Sequence, residues 1–161
     1  MGRTEYVVVL SGDRHWNDPA FIRSILTSTE VPPGHQPVLI TGGQVSERRG
    51  LDGNLQRYGA DYEAEVEARK LGWWIRTYPV DWNEARRTLG PKWKAAGPLR
   101  NQLILDDEEP DVVHLVHDHL YTGSKGTLDM GKRSTHDQIA TYWHRHGHEP
   151  IILVSEDFAG R

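Results

Sequence analysis

The sequence contains no cysteine, so disulfides, thiolate metal sites and cysteine nucleophiles are all excluded. It also lacks any apolar run near the ~20 residues that a membrane-spanning helix requires. Its first residues carry no apolar segment typical of a signal peptide. From these absences we expect a cytoplasmic protein that has no membrane partner.

The sequence also has no excess of lysine and arginine over aspartate and glutamate. The 161 residues carry a formal net charge of −4, whereas domains dedicated to nucleic acids usually have an excess of lysine and arginine. Nucleic acid is therefore not favoured as a partner, although a local basic patch would still allow it. With 37% hydrophobic and 26% charged residues, the composition is typical of a soluble globular protein. We expect residues 1–161 to form a single domain.

Short apolar runs alternate with helical patterns along the chain. The runs have the length and β-branched content of strands buried on both faces. The five predicted strands are Glu5–Leu10, Pro37–Thr41, Trp73–Tyr78, Val112–Val116 and Ile151–Val154. Helix signals separate them, such as Pro19 in a first helical turn after a cap at Asn17 or Asp18. This alternation predicts an α/β fold, a three-layer sandwich with a mainly parallel five-stranded sheet.

Three segments depart from this simple alternation. Gln44–Tyr58 is polar and contains several glycines, and it is predicted to be a mobile loop inserted at about residues 44–58. Asn83–Gly97 is predicted to be an irregular excursion over one face. Ser134 or Thr135 is predicted to cap a last helix ahead of Trp143. The polar end of that helix would contain His144 and His148.

Glycine-containing turns follow three of the predicted strands. The turn after the strand at Val112–Val116 is Gly123–Thr127, which has two glycines, two hydroxyls and a lysine just before a helix. Backbone N–H groups and the positive end of the helix dipole favour an anion there, but such turns are also common without any ligand. The turns Ser11–Arg14 and Gly42-Gly43 would lie on the same rim, because the carboxyl ends of parallel strands share one edge.

The polar residues on this rim have both functional and structural interpretations. Arg14, Arg100 and Lys125 could bind phosphate. Alternatively they are solvated surface charges, or, for Arg100, the partner of Asp61 or Asp129. The carboxylates Asp61, Asp81 and Asp129 could accept ribose hydroxyls or act as helix caps. Trp82 and Trp93 could stack on a base or cover the core. His117 and His119 could act as acid or base, or add hydrogen-bond donors.

The turns resemble a known family when taken together. The motifs are Ser11–Arg14, Gly42-Gly43 with Gly59–Asp61, Asp81-Trp82, Ala95–Asn101 and Ser124–Asp129. In this order they resemble the YspA/YpsA-like branch of the SLOG superfamily over nearly the whole chain. The most specific part is Ala-Gly-Pro-x-Arg-Asn followed by Ser-Lys-Gly-Thr-x-Asp. The resemblance implies a Rossmann-like fold and a nucleotide-derived ligand, with distant relatives among the LOG phosphoribohydrolases and the DprA-type proteins that bind single-stranded DNA.

Two features depart from these relatives. LOG enzymes have a glutamate where this chain has Met130, and Asp129 stands one residue early, about 100° around the helix. Hydrolysis would therefore need another carboxylate. The relatives also join Gly-Gly to Gly-Ala-Asp within a few residues, whereas Gln44–Tyr58 intervenes here.

The sequence thus predicts binding of a nucleotide or a nucleotide-derived, phosphate-bearing small molecule, for sensing or sequestering. The alternatives are N-glycosidic hydrolysis of a nucleotide, with Arg100, Asp129 and Asp61 as catalytic residues, and DprA-like binding of single-stranded DNA. The resemblance also implies a homo-oligomer, and we expect no cofactor and no metal, since the nine histidines complete no familiar ligand motif. The predicted ligand-binding residues are Ser11, Gly12, Arg14, Gly42, Gly43, Asp61, Asp81, Trp82, Arg100, Asn101, Gly123, Ser124, Lys125, Gly126, Thr127 and Asp129.

Overall fold

The computed structural model describes residues 4–161 as an α/β fold with helices on both faces of a central sheet. The strands are β1 (Glu5–Gly12), β2 (Gln36–Thr41), β3 (Ser46–Arg49), β4 (Leu55–Tyr58), β5 (Trp74–Thr77), β6 (Val112–Val116), β7 (Thr141–His144) and β8 (Ile151–Leu153). The helices are α1 (Pro19–Ser28), α2 (Ala60–Lys70), α3 (Trp82–Leu89), α4 (Ala96–Glu108), α5 (Leu120–Gly123) and α6 (Gly126–His136). Short 3-10 helices follow α3 at Gly90–Ala95 and β8 at Ser155–Phe158.

The central sheet has six strands in the order β5-β2-β1-β6-β7-β8. All neighbours are parallel except β7 and β8, and Val8 of β1 lies between Leu39 and Val112 of the flanking strands. Without the β3–β4 hairpin, this order is the 3-2-1-4-5-6 arrangement of Rossmann-like sheets. The predicted fold class is confirmed, and the predicted count of five strands is one too low.

The additional strand is β7, where the sequence predicted part of a helix. Thr141 and Trp143 are buried because β7 pairs with both β6 and β8. Ser134 and Thr135 do not cap a following helix but lie near the end of α6. The Ser134 hydroxyl instead forms a hydrogen bond of 2.8 Å to that of Thr141. This four-residue segment is therefore a strand because it is buried between two neighbouring strands.

Two apolar cores lie on opposite faces of the sheet. One core packs α1 and α2 against side chains such as Leu10, Leu39 and Val116. The other packs α4 and α6 against the alternate residues, such as Val9 and Leu115. The side chains of β1 thus point alternately to the two cores, as the continuous apolar run predicted.

The segment at residues 44–58, predicted to be a mobile loop, contains a regular antiparallel hairpin. Strands β3 and β4 pair from Ser46 with Tyr58 to Arg49 with Leu55. Arg48 lies over the ring of Tyr58, with 5.3 Å between the guanidinium carbon and the ring centroid. Nearly all hairpin side chains are exposed, so no alternation of apolar and polar residues reveals the strands.

The segment predicted to be an irregular excursion is also mostly helical. Asp81 caps α3, since its side chain accepts a hydrogen bond of 3.0 Å from the backbone N–H of Glu84. Ala85 is the buried residue of this helix, which explains why no apolar stripe predicted it. The predicted cap of α1 at Asp18 is confirmed, because Asp18 accepts a hydrogen bond of 3.2 Å from Phe21 N–H. Within residues 4–161, no helix is both long and apolar enough to span a bilayer.

Candidate functional site

The carboxyl ends of β1, β2 and β6 lie at one edge of the sheet. β1 leads to α1 and β6 leads to α6, and these helices pack in different cores on opposite faces. When the chain leads from two neighbouring strands to helices on opposite faces of the sheet, a crevice forms between the strand ends. Ligands of such sheets bind in this crevice. The three glycine-containing turns follow these strands.

The turn after β1 packs on the start of α2. The carbonyl of Asp13 accepts hydrogen bonds from the N–H groups of Trp16 and Ala60, both of 3.0 Å. A Cβ atom at Gly12 would lie 2.5 Å from that of Ala60 and 2.7 Å from the carbonyl oxygen of Val116. Gly12 therefore allows close packing between strand and helix.

Two predicted ligand residues flank this glycine. Ser11 is half-buried at the end of β1, whereas Arg14 is exposed. The carbonyl of Arg14 accepts a hydrogen bond of 2.7 Å from the hydroxyl of Ser46, which joins the hairpin to the turn. The Arg14 guanidinium forms no ion pair with the residues that the structure describes, so its charge is available at the rim.

The turn after β2 encloses the guanidinium of Arg100. Nη1 of Arg100 donates to the carbonyls of Gly42 and Tyr78, at 3.1 and 2.9 Å. A Cβ atom at Gly42 would lie 2.5 Å from Nη1, so a side chain there would displace the guanidinium. Gly43 has a positive φ of 70°, which favours glycine, and its N–H donates to the Thr41 hydroxyl.

Arg100 keeps unused donors at this edge. Its Nε donates to the side-chain oxygen of Asn101 at 3.2 Å. Nη2 donates to none of the described residues and is not fully buried. Burial lowers the pKa of Arg100, and Asp61 and Asp129 oppose that change, but a guanidinium remains protonated near neutral pH. No ion pair joins it to either carboxylate within the described chain, so the predicted partnership with Asp61 or Asp129 acts only at longer range.

Asp61 is the buried carboxyl of the site. It lies in the first turn of α2 and is 8% exposed, and it accepts a hydrogen bond of 3.2 Å from the backbone N–H of Gln44. Burial raises the pKa of Asp61 to about 7, against the opposing effects of that hydrogen bond and the charge of Arg100. Asp61 can therefore gain or lose a proton near neutral pH, which is a property of catalytic acids and bases.

The start of α6 combines a capped turn with an exposed lysine. The hydroxyl oxygen of Ser124 accepts a hydrogen bond of 3.0 Å from the N–H of Thr127, whose side chain is buried. Gly126 begins the helix. Lys125 is exposed, and its ammonium forms no ion pair or hydrogen bond with the part of the chain that the structure describes. One cation therefore stands beside a helix N-terminus, where anions are favoured.

Asn101 and Asp129 join α4 to α6. The Asn101 amide donates to the carbonyl of Gly126 at 3.2 Å and to Asp129 Oδ2 at 3.0 Å. Arg133 Nε donates to both carboxylate oxygens of Asp129, at 2.9 and 3.1 Å. The role of Asp129 towards a ligand stays a prediction, and its hydrogen bond with Asn101 links α6 to α4.

His117 connects the first turn to the third. Its Nδ1 accepts a hydrogen bond of 2.9 Å from the N–H of His119, and burial lowers its pKa. The neutral ring therefore carries its proton on Nε2, which lies 3.9 Å from Asp13 Oδ2. A Cβ atom at Gly123 would lie 2.9 Å from Cε1 of His117, so the glycine permits this approach.

These contacts, joined by short stretches of chain, connect a set of residues that we call the carboxyl-edge ring. The ring runs from Asp13 to Ala60 and Asp61, through Gln44 and Gly42 to Arg100 and Asn101, and through Gly126 and Gly123 to His117 and back to Asp13. The three turns predicted to converge are thus neighbours at one edge of the sheet.

Asp81 and Trp82 take no part in the carboxyl-edge ring. Asp81 caps α3, which is the structural alternative considered for it. Trp82 meets Trp93 edge to face, with 5.9 Å between ring centroids, and lies 3.8 Å from a Cβ placed at Gly97. Their roles towards a ligand stay predictions.

His146 is a residue near the site that the sequence did not reveal. It follows β7, whereas a polar helix end was predicted there. Its Nδ1 contacts Asp118 Oδ2 and its Nε2 contacts Asp18 Oδ2, both at 2.9 Å. The ring stacks on Trp16 with 4.3 Å between centroids. Hydrogen bonds to the two carboxylates raise the pKa of His146, and no spacing in the sequence relates these distant residues.

Comparison with known proteins gives little further information. No protein-family model matches the chain, and no curated protein matches it. Among solved structures, the crystal structure of a UDP-N-acetylglucosamine 2-epimerase is similar, with 14% sequence identity and a TM-score of 0.46. The match covers 91% of this chain and 36% of that chain. A likeness at this distance carries no argument about function.

Proposed function

We propose that the chain binds a nucleotide-like, phosphate-bearing small molecule at the carboxyl-edge ring. The observation that carries this proposal is the Arg100 guanidinium. Two of its nitrogens are fixed by the oxygens of Gly42, Tyr78 and Asn101, while Nη2 has no partner in the described chain and is not fully buried. A positioned cation with free donors favours a phosphate oxygen, because little entropy is lost when the contact forms.

Two further features support a phosphate rather than another anion. The exposed ammonium of Lys125 stands at the N-terminus of α6, and exposed Arg14 follows β1. Cations and helix N–H groups from separate strands can share the several oxygens of a phosphate. The buried carboxyl of Asp61 adds an acceptor or donor for a ribose hydroxyl or a base. Together these groups match the parts of a nucleotide.

Titration calorimetry with adenosine 5′-monophosphate, with adenosine as the phosphate-free control, tests the proposal. The monophosphate is expected to bind and adenosine to bind much more weakly. Lys125→Ala should weaken binding of the monophosphate about tenfold, since a charge-assisted contact contributes about 1.5 kcal/mol.

Lys70→Ala is the matched control variant, because Lys70 is an exposed lysine at the far end of α2. Its substitution should leave the affinity unchanged. Equal affinities of the Lys125→Ala and Lys70→Ala proteins, or equal binding of adenosine and its monophosphate, would contradict phosphate recognition at the ring.

Hydrolysis of the N-glycosidic bond is a second candidate function, and the pKa of Asp61 favours it. A carboxyl with a pKa of about 7 can protonate a departing base while water attacks the ribose carbon, releasing free base and ribose phosphate. Since the protonated form acts as the acid, the rate should fall as pH rises above about 7.

Chromatography of free adenine after incubation with adenosine 5′-monophosphate tests this second candidate. Asp61→Asn should bind the monophosphate and release no adenine. If the unmodified protein binds the monophosphate but releases no adenine, hydrolysis is excluded and only the binding function remains. Release that persists in the Asp61→Asn protein would assign the chemistry to another group.

A further inference from the structure

A cavity lies on the α1 face of the sheet, away from the carboxyl-edge ring. Its volume is about 640 Å³, within the range of about 300–1,000 Å³ that small-molecule sites occupy. It lies between α1 and strands β6 and β7, and no residue of the ring lines it. It is therefore a separate candidate site.

Two buried histidines form its floor. His114 and His144 are 6% and 7% exposed, and His114 Nδ1 lies 2.8 Å from His144 Nε2. The other nitrogen of His114, Nε2, lies 3.1 Å from the hydroxyl of Thr29. That hydroxyl donates to the carbonyl of Ile25 at 2.9 Å, so it can only accept from His114.

This chain of contacts fixes where each imidazole proton lies. Burial lowers the pKa of His114 to about 3 and that of His144 to about 4, so both rings are neutral and carry one proton. His114 holds its proton on Nε2, because it donates to Thr29. Its Nδ1 must then accept from Nε2–H of His144. The remaining nitrogen of His144, Nδ1, is consequently an acceptor.

The acceptor at His144 Nδ1 has no donor among residues 4–161. It is also not one of the fully buried polar atoms that lack a partner. The atom therefore retains accessible surface, and His144 lines the cavity. A molecule that enters the cavity and donates a hydrogen bond to this accessible acceptor therefore gains affinity there.

The walls of the cavity define the rest of the ligand. Tyr6, Phe21 and Tyr142 line it and favour an aromatic ring by stacking or edge contacts. The carboxylates of Glu30 and Asp111 also line it, and they disfavour anions such as the phosphate of the proposed nucleotide. The molecule expected in this cavity therefore carries no negative charge, unlike the phosphate-bearing ligand proposed for the carboxyl-edge ring.

We propose that this cavity binds an aromatic small molecule that carries no negative charge and donates a hydrogen bond to Nδ1 of His144.

Indole and N-methylindole are a matched pair of probes, because they share ring shape and only indole has an N–H donor. A titration monitored by saturation-transfer NMR should show that indole binds at least tenfold more tightly than N-methylindole. With ¹⁵N-labelled histidine, indole should move the Nδ1 resonance of His144 and leave that of His136 unchanged, since His136 is exposed on the last turn of α6. Equal binding of the two probes, or no movement at His144, would overturn the proposal.

A variant that fills the cavity provides an independent test. Ser28 lines the cavity from an exposed position on α1, so Ser28→Trp should abolish indole binding. Ala20 is exposed on the same helix and does not line the cavity, and Ala20→Trp should bind indole normally. Unchanged binding by Ser28→Trp would refute the site. Competition between adenosine 5′-monophosphate and indole for the same site would also refute it. The proposal would equally fail if the unmodified chain bound no indole and Ser28→Trp only converted a dimer of the chain to monomers.

Discussion

Arg76 and Arg100 show how the same side chain can serve stability or recognition. Arg76 of β5 donates to Glu5 at 2.9 and 3.2 Å and to Glu108 at 2.7 and 3.0 Å. Arg100 donates to neutral carbonyl and amide oxygens instead, and its Nη2 has no partner in the described chain. Two carboxylates neutralise the first guanidinium, whereas the second keeps both its charge and free donors. The difference separates a structural ion pair from a candidate binding group.

Removal of the first arginine should have the largest effect. Arg76→Ala removes four charge-assisted hydrogen bonds to Glu5 and to the buried Glu108, which should lower the free energy of unfolding by about 3 kcal/mol. Urea unfolding should show this loss, while affinity for adenosine 5′-monophosphate stays unchanged.

The control for this loss is Arg87→Ala, because Arg87 and its partner Glu84 are both well exposed. It should lower the free energy of unfolding by less than about 0.5 kcal/mol. Similar losses for the two variants would contradict a special role of the Arg76 cluster. The pKa of Glu108 is lowered by Arg76 and Tyr78 against the effect of burial. The stabilisation it provides should therefore disappear as pH falls through this lowered pKa.

Removal of the second arginine should affect both properties. Arg100→Ala loses hydrogen bonds to the carbonyls of Gly42 and Tyr78, which should lower the free energy of unfolding by about 2 kcal/mol. It should also weaken binding of adenosine 5′-monophosphate more than Lys125→Ala does. Calorimetry below the melting temperature measures the affinity separately from stability. Unchanged affinity would make Arg100 purely structural, like Arg76.

The buried carboxyl beside Arg100 should make stability depend on pH. The folded-state pKa of Asp61 is raised to about 7 from its ordinary 3.8, so the unfolded chain loses this proton first. The free energy of unfolding should decrease between about pH 4 and pH 7 and level off above that range. Asp61→Asn should be less sensitive over the same window in urea titrations. Identical pH profiles for the two proteins would contradict the raised pKa.

The smallest effect is expected at His146, which bridges two carboxylates on the surface. Hydrogen bonds to Asp118 and Asp18 raise its pKa, so the bridge stabilises below pH 6.5 and weakens as pH rises through the higher folded value. All three side chains are at least 40% exposed, which limits the gain to about 1 kcal/mol. His146→Gln should abolish this pH dependence in thermal unfolding. Persistence of the dependence would assign it to another group.

Local sequence signals predicted much of the fold. Val7–Leu10 is buried on both faces, and Asp18 caps α1, because strand burial and capping depend on nearby residues. The β3–β4 hairpin and α3 were missed, since each buries very little. Strand β7 was missed because its burial comes from β6 and β8, which the local sequence does not contain.

The candidate site was predictable only at the level of its turns. Glycines and polar residues at strand ends indicated Gly42 and Gly123, and both prove to make close approaches that a Cβ would obstruct. The partners of Arg100 were not predicted, because they are backbone carbonyls contributed by distant turns. The histidine pair at His114 and His144 was not predicted either, since it depends on the register of two parallel strands.

The strand at one outer edge of the sheet limits how the protein can associate with itself. β8 has three residues and runs against its neighbour, so it offers few backbone groups for another chain to pair with. Growth of a continuous sheet across two subunits is therefore disfavoured on that side. If the predicted homo-oligomer forms, an interface on that side of the sheet should use side chains rather than shared strands.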